Sequence, residues 1–176
     1  MTPELKTERL RLRPLTQDDQ PWFGKLNRDP VVRRFLWDDD IISDEQAADI
    51  IAESSRLFED RQYGLFRADD ENGEPVGYYG LWFFFGEDLP QLLYVTDPER
   101  NKEGFAVEGA RAIRDYAFGP LAFSHLDAAC DAANEPSHQV ARALGFKLRK
   151  TAMEEGLETT FYRAYPADDG AALASG

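Results

Sequence analysis

The alternation of polar and apolar positions near the start of the chain indicates a half-buried first strand. Arginine and leucine alternate through positions 9–13, and Pro14 ends the run because proline cannot donate a backbone hydrogen bond to a sheet. A short helix is expected to follow. Asp19 is the better of two candidate caps, since it places Pro21 in the first helical turn, and this helix should end near Asn27.

The next segment has a helical period. Pro30 interrupts the pattern, and 31–36 favours a helical turn. Ser43, followed three residues later by Gln46, forms a capping box, and the apolar residues that follow share one helical face. The second helix is therefore expected to end near Arg61.

The middle of the chain changes to a strand pattern. Strands are predicted over 64–68, 76–85 and 91–96, and turn-like clusters at 69–73 and 86–90 join them. Three consecutive antiparallel strands are expected from short connections of this kind.

Helix and strand patterns alternate in the rest of the chain. The predicted elements are a helix from about 106 to 117, a strand at 125–130, a helix at 136–144 and strands at 146–153 and 157–165. This order predicts an α/β (α+β) domain with a mixed, twisted sheet of about seven strands and helices on both faces. We expect one domain over 1–166 and a disordered tail over 167–176.

Charge and composition narrow the classes of partner. The formal net charge of −13 argues against nucleic acid and an anionic membrane surface, and it favours a cationic small molecule or basic peptide. The longest apolar run, 81–85, is too short to span a bilayer. Cys130 is the single cysteine, and no signal peptide is recognisable, so a cytoplasmic location is expected.

The segment from Leu92 to Ala106 carries the first candidate chemistry. A strand ends, a polar loop follows, and a helix begins at Gly104, where small residues expose the free backbone N–H groups of the helix start. Arg100 and Lys102 add positive charge, so a pyrophosphate is a suitable ligand. Taken alone, the same pattern also suits a tight junction between helix and sheet.

The second candidate lies around Asn134. This residue can cap a helix that has Pro136 in its first turn, and Ser137 then places a hydroxyl near the helix start. Leu144-Gly145-Phe146 ends that helix. By capping logic alone, the motif is structural.

Together the two features resemble the GCN5-related N-acetyltransferases, and most of all the branch of ribosomal-protein alanine N-acetyltransferases. The resemblance extends over nearly the whole chain. It includes the opening run Thr7-Glu8-Arg9-Leu10-Arg11-Leu12-Arg13-Pro14-Leu15, the helix start Gly104-Phe105-Ala106 and the pair Asn134 and Ser137 before Leu144-Gly145-Phe146. The fold of that family is therefore expected, with the sheet splayed at the strand that binds acetyl-CoA.

The resemblance implies acetyl-CoA as co-substrate, an amine acceptor and no metal. Ser137 is the implied catalytic residue, assisting the departing sulfur. The implied contacts to acetyl-CoA are Tyr94, Val95, Thr96, Arg100, Asn101, Lys102, Glu103, Gly104, Phe105, Ala106, Asn134 and Ser137. Asn101 stands where the family has a longer polar residue, and Glu103 stands where a glycine or a small basic residue is common.

The acceptor side is less defined by the sequence. Trp37, Tyr79, Trp82 and Gln91 are the candidate substrate residues, although the aromatic ones also suit a core. No general base can be assigned. Cys130 is disfavoured as an acyl carrier because it lies within a strand without an obvious histidine partner.

Two other functions remain open at this point. One is a non-catalytic acyl-CoA-binding module on the same fold. The other is a small-molecule-binding protein that has lost the ability to bind coenzyme A. A homodimer is compatible with the resemblance, because dimers are frequent among similar proteins.

Overall fold

The computed structural model describes residues 2–166, so the predicted tail at 167–176 lies outside the described residues. Eight strands form one sheet in the order β1-β2-β3-β4-β5-β6-β8-β7. The strands are β1 Leu5–Lys6, β2 Arg11–Pro14, β3 Leu65–Asp69, β4 Pro75–Trp82, β5 Gln91–Thr96, β6 Leu126–Asp131, β7 Lys147–Glu154 and β8 Leu157–Ala164. Neighbouring strands are antiparallel except β5 and β6, which are parallel. The predicted mixed sheet is confirmed.

Helices cover both faces of the sheet. They are α1 Gln20–Arg28, α2 Pro30–Leu36, α3 Asp44–Arg61, α4 Phe105–Phe118 and α5 Glu135–Ala143. One cluster of buried side chains joins α1, α2 and α3 to the face that carries Tyr78 and Val95. A second cluster joins α4 and α5 to the face that carries Tyr79 and Leu92. None of the helices within residues 2–166 is long and apolar enough to cross a bilayer.

Helix α3 begins and ends as its sequence predicts. The Ser43 side chain accepts a hydrogen bond from the backbone of Gln46, and the Gln46 side chain accepts one from the backbone of Ser43. The helix ends at Arg61, and Gln62 then takes a left-handed conformation with φ of 65°. Local sequence is sufficient for the start, because Ser43 and Gln46 lie within one turn of each other.

Asp19 differs from its expected role. It occupies the position before α1 but makes no side-chain cap on that helix. Its carboxylate is buried, and it instead receives Arg13 at 2.8 Å and Arg67 at 3.0 Å. A buried carboxylate is stable only when it is paired, so the two arginines take precedence over the cap.

Two glycines in β4 allow the backbones of the adjacent segments to approach closely. A Cβ atom on Gly77 would approach the Val95 carbonyl oxygen to 2.2 Å, and one on Gly80 would approach the Gly64 oxygen to 2.1 Å. The sequence suggests that these glycines weaken the strand. The structure shows that the close backbone approach requires them.

Two strand predictions need correction. The short strand β1, Leu5–Lys6, is an eighth strand beyond the seven expected. Strand β4 ends at Trp82 and does not continue to Phe85. Beyond Trp82 the chain leaves the sheet, and there the Phe85 ring packs edge-on against Phe161, with ring centroids 5.4 Å apart, while the Phe85 N–H donates to the Glu87 carboxylate.

Candidate active site

Strands β5 and β6 separate after a single pairing. Gln91 pairs with Asp127, and no further pair between these strands is registered within the described chain. Both strands run in the same direction, so the opening lies toward Thr96 on one side and Asp131 on the other. The predicted splay of the sheet is therefore present at β5.

Tyr94 and Ser137 connect the two sides of this opening. The Tyr94 hydroxyl donates to the backbone oxygen of Ser137 at 2.8 Å, and the Ser137 hydroxyl donates to the Tyr94 oxygen at 3.0 Å. Burial raises the pKa of the Tyr94 phenol far above its usual value, and the bond from Ser137 only partly offsets this. Both hydroxyls therefore hold their protons at neutral pH and can act as donors.

Asn134 is confirmed as the residue that caps α5. Its side-chain oxygen accepts from the Ser137 N–H at 3.4 Å, and Pro136 lies in the first turn. The cap fixes where Ser137 lies relative to Tyr94. A contact from Asn134 to acetyl-CoA stays a prediction.

The loop 97–104, which we call the β5–α4 loop, leads into a helix start with free donors. Gly104 has φ of 81°, a left-handed conformation that glycine adopts without strain. The first bond within α4 runs from the Glu108 N–H to the Gly104 oxygen at 3.2 Å. The N–H groups of Phe105, Ala106 and Val107 therefore precede the intrahelical ladder and can bind an anion.

Arg100 and Glu103 neutralise each other on this loop. The Arg100 guanidinium donates to the Glu103 carboxylate at 2.6 Å and to Asp70 at 2.9 Å. Arg100 therefore shares its positive charge with two carboxylates in this structure, and a contact from Arg100 to acetyl-CoA stays a prediction. The pairing also holds the Glu103 carboxylate on Arg100. Asn101 and Lys102 are exposed on the same loop.

A cavity of about 180 Å³ borders the opening between β5 and β6. Its lining combines apolar side chains with four carboxylates, and we call it the acidic cavity. The lining is Phe35, Leu36, Asp38, Phe84, Phe85, Leu92, Leu93, Ala129, Cys130, Asp131, Glu154, Glu155, Leu157 and Thr159.

The four carboxylates of the acidic cavity have no ion pair or side-chain hydrogen bond with any residue described in the structure. Burial, together with the like charge of Asp38, raises the pKa of Asp131. Asp38 lies in a short loop where it and Asp39 both have positive φ, 51° and 68°. The Asp39 side chain is turned onto Arg33, so the two neighbouring aspartates differ in their surroundings.

The four predicted acceptor residues divide into two pairs. Trp37 and Trp82 are half-buried against the cluster that joins α1, α2 and α3 to the sheet. Tyr79 is fully buried, and its hydroxyl is hydrogen-bonded to Thr96 at 2.6 Å. Gln91 is buried at the single bridge to β6. The structure thus places Tyr79 and Gln91 in the interior, because both lie on central strands covered by helices.

Cys130 has a histidine close by, contrary to the sequence interpretation. Its sulfur lies 3.7 and 3.8 Å from the two ring nitrogens of His138. His138 is itself buried, with Nδ1 bonded to the Tyr162 hydroxyl at 2.7 Å and Nε2 near the Asp131 and Ala132 carbonyls. Burial raises the pKa of the Cys130 thiol to about 11, so the thiol stays protonated at neutral pH and is a poor acyl carrier.

Sequence reasoning missed most of the acidic cavity. Asp131 ends a strand, and the pair Glu154 and Glu155 precedes Gly156 in a hairpin turn. Neither position has a motif of its own. The available signal was the parallel strand pair, since ligands bind at the carboxyl ends of such strands.

Comparisons with known proteins agree with this architecture. A family model described as an acetyltransferase (GNAT) domain matches residues 9–147. The uncharacterized N-acetyltransferase YoaA of Bacillus subtilis (strain 168) is 29% identical over 152 residues, which cover 84% of each chain.

Solved structures of acetyltransferases superpose on most of the chain. The acetyltransferase from Agrobacterium tumefaciens str. C58 has a TM-score of 0.82 at 25% identity, covering 94% of this chain and 95% of that chain. RimL, a ribosomal L7/L12 α-N-protein acetyltransferase in complex with coenzyme A, has a TM-score of 0.77 at 16% identity, covering 93% and 98%. At the latter identity the likeness shows the fold.

Proposed function

The chain belongs to the GNAT acetyltransferase family, and from that premise we propose that it moves an acetyl group from acetyl-CoA directly to a cationic primary amine. The observation that carries the acceptor class is the acidic cavity, whose four carboxylates have no positive partner among the described residues. A ligand that supplies the missing charge suits this cavity best. The strongly acidic chain would also attract such an amine over longer distances.

The residues of the opening fit acetyl-CoA. The free N–H groups at the start of α4 suit the pyrophosphate, and the unpaired side of β5 near Val95 suits the amide groups of the pantetheine arm. We propose that Glu103 does not obstruct the phosphates, because its carboxylate is held by Arg100. RimL, which shares the fold, was solved with coenzyme A.

The transfer needs a neutral amine and a stabilised sulfur. The alkylammonium first gives one proton to a base, and the neutral nitrogen then attacks the thioester carbonyl carbon. The carbon–sulfur bond breaks, and the second proton lost by the nitrogen is taken up by the thiolate of coenzyme A. An ordinary alkylammonium has a pKa of about 10.4, so a base is useful at neutral pH. We assign proton acceptance to Asp131, which lines the acidic cavity and whose pKa is raised.

Ser137 is the proposed donor to the departing sulfur. Its hydroxyl lies at the opening, and it can turn from the Tyr94 oxygen to the thiolate without leaving its place in the capped first turn of α5. The backbone oxygen of Ser137 keeps its bond from Tyr94 during that turn. Hydrogen bonds to a developing negative charge are worth more than neutral ones, so the donor acts mainly in the transition state.

Two measurements test this function. Acetyl-CoA at about 100 times its dissociation constant should stabilise the protein by about 2.7 kcal/mol, which a thermal shift detects. Thiol release over a panel of amines and N-terminal peptides should then show turnover with cationic primary amines. A thermal shift without thiol release from any amine would instead identify a non-catalytic acyl-CoA-binding module.

Variants separate the role of Ser137 from general damage. Ser137→Ala should lower kcat about tenfold with a small change in affinity for acetyl-CoA, because one donor to the leaving group is lost. Ser124→Ala is the matched control, since Ser124 is exposed and bonds only to His125 among the described residues. An unchanged kcat in Ser137→Ala would show that the assignment is wrong.

A further inference from the structure

Glu108, in the first turn of α4, is tied to the amino-terminal segment of the chain. Its carboxylate accepts the Thr7 hydroxyl at 2.5 Å, the Arg9 backbone N–H at 2.8 Å and the Arg9 Nε at 2.7 Å. Burial alone would raise the pKa of Glu108, but the bonds from Thr7 and Arg9 outweigh it and hold that pKa below its usual value. Glu108 is therefore ionised and paired across about 100 positions of sequence.

Arg9 extends this contact to the β5–α4 loop. A second nitrogen of its guanidinium donates to the backbone oxygen of Glu103 at 2.8 Å. The guanidinium also lies over the Phe105 ring at 4.4 Å from the centroid, and it is 3.4 Å from the position that a Cβ atom on Gly104 would take. One side chain thus contacts Glu103 and Phe105 and lies beside Gly104, at the point where the loop becomes a helix.

The planar guanidinium group explains why an arginine occupies position 9. The Nε atom faces the Glu108 carboxylate while a terminal nitrogen faces the Glu103 carbonyl, and a planar group holds the two directions fixed. Lysine has a single ammonium group on a flexible stem, so it cannot reproduce both bonds with the same geometry.

We propose that Thr7, Arg9 and Glu108 form a clasp that positions the β5–α4 loop to receive the phosphates of acetyl-CoA. Arg9 is its positioning residue, and it acts through the backbone of Glu103 and Gly104. The inference rests on the proposed function, because it assigns the phosphates to this loop. Without the clasp, the free N–H groups at the start of α4 must be ordered when the ligand binds, and affinity falls.

The decisive test uses Glu108→Gln and Arg9→Ala, measured by calorimetric titration with acetyl-CoA and by steady-state kinetics. Both variants should raise the Kd and KM for acetyl-CoA, about tenfold for Arg9→Ala, and leave kcat nearly unchanged. Whether Glu108→Gln raises or lowers the Kd for acetyl-CoA distinguishes the clasp from a simple effect of charge. Removing a negative charge beside an anion site strengthens binding if charge alone matters, and it weakens binding if the clasp sets the geometry.

Conservative and control variants sharpen the result. Arg9→Lys keeps the charge and should restore only part of the affinity. Arg11→Ala is the matched control, because Arg11 is exposed and its nearest carboxylate, Glu4, is 4.0 Å away. A lower Tm in Arg9→Ala and Glu108→Gln, with unchanged Kd and KM for acetyl-CoA, would overturn the proposal and leave a purely structural ion pair.

Amide hydrogen exchange without ligand keeps the inference separate from the proposed function. Arg9→Ala should speed exchange at 101–106 and leave α5 unchanged, whether or not acetyl-CoA binds. If the unmodified protein shows no acetyl-CoA binding, the proposed function fails while exchange still decides whether the clasp orders the loop. Unchanged exchange at 101–106 would overturn the clasp.

Discussion

The β5–α4 loop and the acidic cavity treat their carboxylates differently. Around the loop, Asp70, Glu103 and Glu108 each have an arginine partner at 2.6 to 2.9 Å. The Asp97 carboxylate accepts the Glu99 N–H at 3.0 Å, whereas no ion pair of Glu99 is found among the described residues. Around the acidic cavity, no carboxylate has such a partner within residues 2–166. Both regions border β5 and carry similar acidic side chains, so residue type alone does not explain the contrast.

On the proposed function, this difference separates a preordered site for the phosphates from an acceptor site whose charge the amine balances. Paired charges on the loop fix the backbone, so the N–H donors at the start of α4 are ordered in advance. Among the four unpaired carboxylates, Asp38 and Glu155 are exposed, whereas Asp131 and Glu154 are half-buried. An unpaired charge that is partly buried destabilises the folded chain, and such residues are kept where they act on a substrate. We therefore expect changes to the two regions to alter different measured quantities.

The largest expected effect is a loss of amine turnover without a loss of acetyl-CoA binding. Asp131→Asn should lower kcat/KM for a cationic amine about 100-fold, because it removes the proposed proton acceptor, and it should leave the Kd for acetyl-CoA unchanged. Glu108→Gln should do the reverse. Thiol release at saturating acetyl-CoA measures the first quantity, and titration calorimetry measures the second. Both variants altering the same quantity would break the comparison.

A smaller effect concerns stability, with opposite signs in the two regions. Asp131 has a raised pKa when folded, so its favourable contribution exists at low pH and is lost as pH rises through that pKa. Glu108 has a lowered pKa, so its contribution is present at neutral pH and is lost as pH falls through that pKa. At neutral pH, Asp131→Asn should therefore raise Tm and Glu108→Gln should lower it.

The shifts should be about 2–4 °C for each kcal/mol at this chain length, and scanning calorimetry resolves them. Both differences should vanish in acid, where the two carboxyls of the unmodified protein are protonated. A fall in Tm for both variants at neutral pH would show that Asp131 is stabilised by a contact other than those described above.

The smallest effect lies in the pH profile. The groups that face Asp131 across the cavity are Asp38, Glu154, Glu155 and Cys130, with His138 against its backbone. Ionised Asp131 accepts the proton, so kcat/KM should fall as pH drops through its raised pKa. Asp38→Asn removes a like charge and should move this fall to lower pH, raising kcat/KM a few-fold on the acid side of the profile.

Asp39→Asn is the matched control for that profile. Asp39 adjoins Asp38 in the chain, but its carboxylate pairs with Arg33 and does not line the cavity. Asp39→Asn should not change the pH at which kcat/KM falls on the acid side of the profile. An equal displacement in both variants would indicate a general effect of net charge.

The sequence predicted the features that depend on nearby residues. The start and end of α3, the helix after Gly104 and the cap at Asn134 each need signals only a few residues apart, and the structure contains all three. The order of strands and helices followed from the same local patterns. A family resemblance added acetyl-CoA, which the local patterns alone left open.

Features assembled from distant segments were not predictable in the same way. Asp38, Asp131 and Glu154 meet in one cavity although long stretches of chain separate them. The pairing of Glu103 with Arg100 is local, three residues apart, but it was not predictable either, because the loop sequence does not define the direction of the two side chains. Tyr79 and Gln91 were predicted to line the acceptor site, but both are buried in the structure. Their strands are covered by helices, and the sequence pattern does not define where those helices pack on the sheet.

The single bridge between β5 and β6 gives the sheet two internal edges as well as its outer ones. Beyond Gln91 and Asp127, the facing sides of both strands carry backbone groups that no neighbouring strand engages within the described chain. Exposed edges of this kind can recruit a strand from another molecule and begin aggregation. Acetyl-CoA bound along β5, as proposed above, would cover one of these edges. Light scattering of concentrated protein should therefore rise more slowly with acetyl-CoA present, which would show that this ligand also limits self-association.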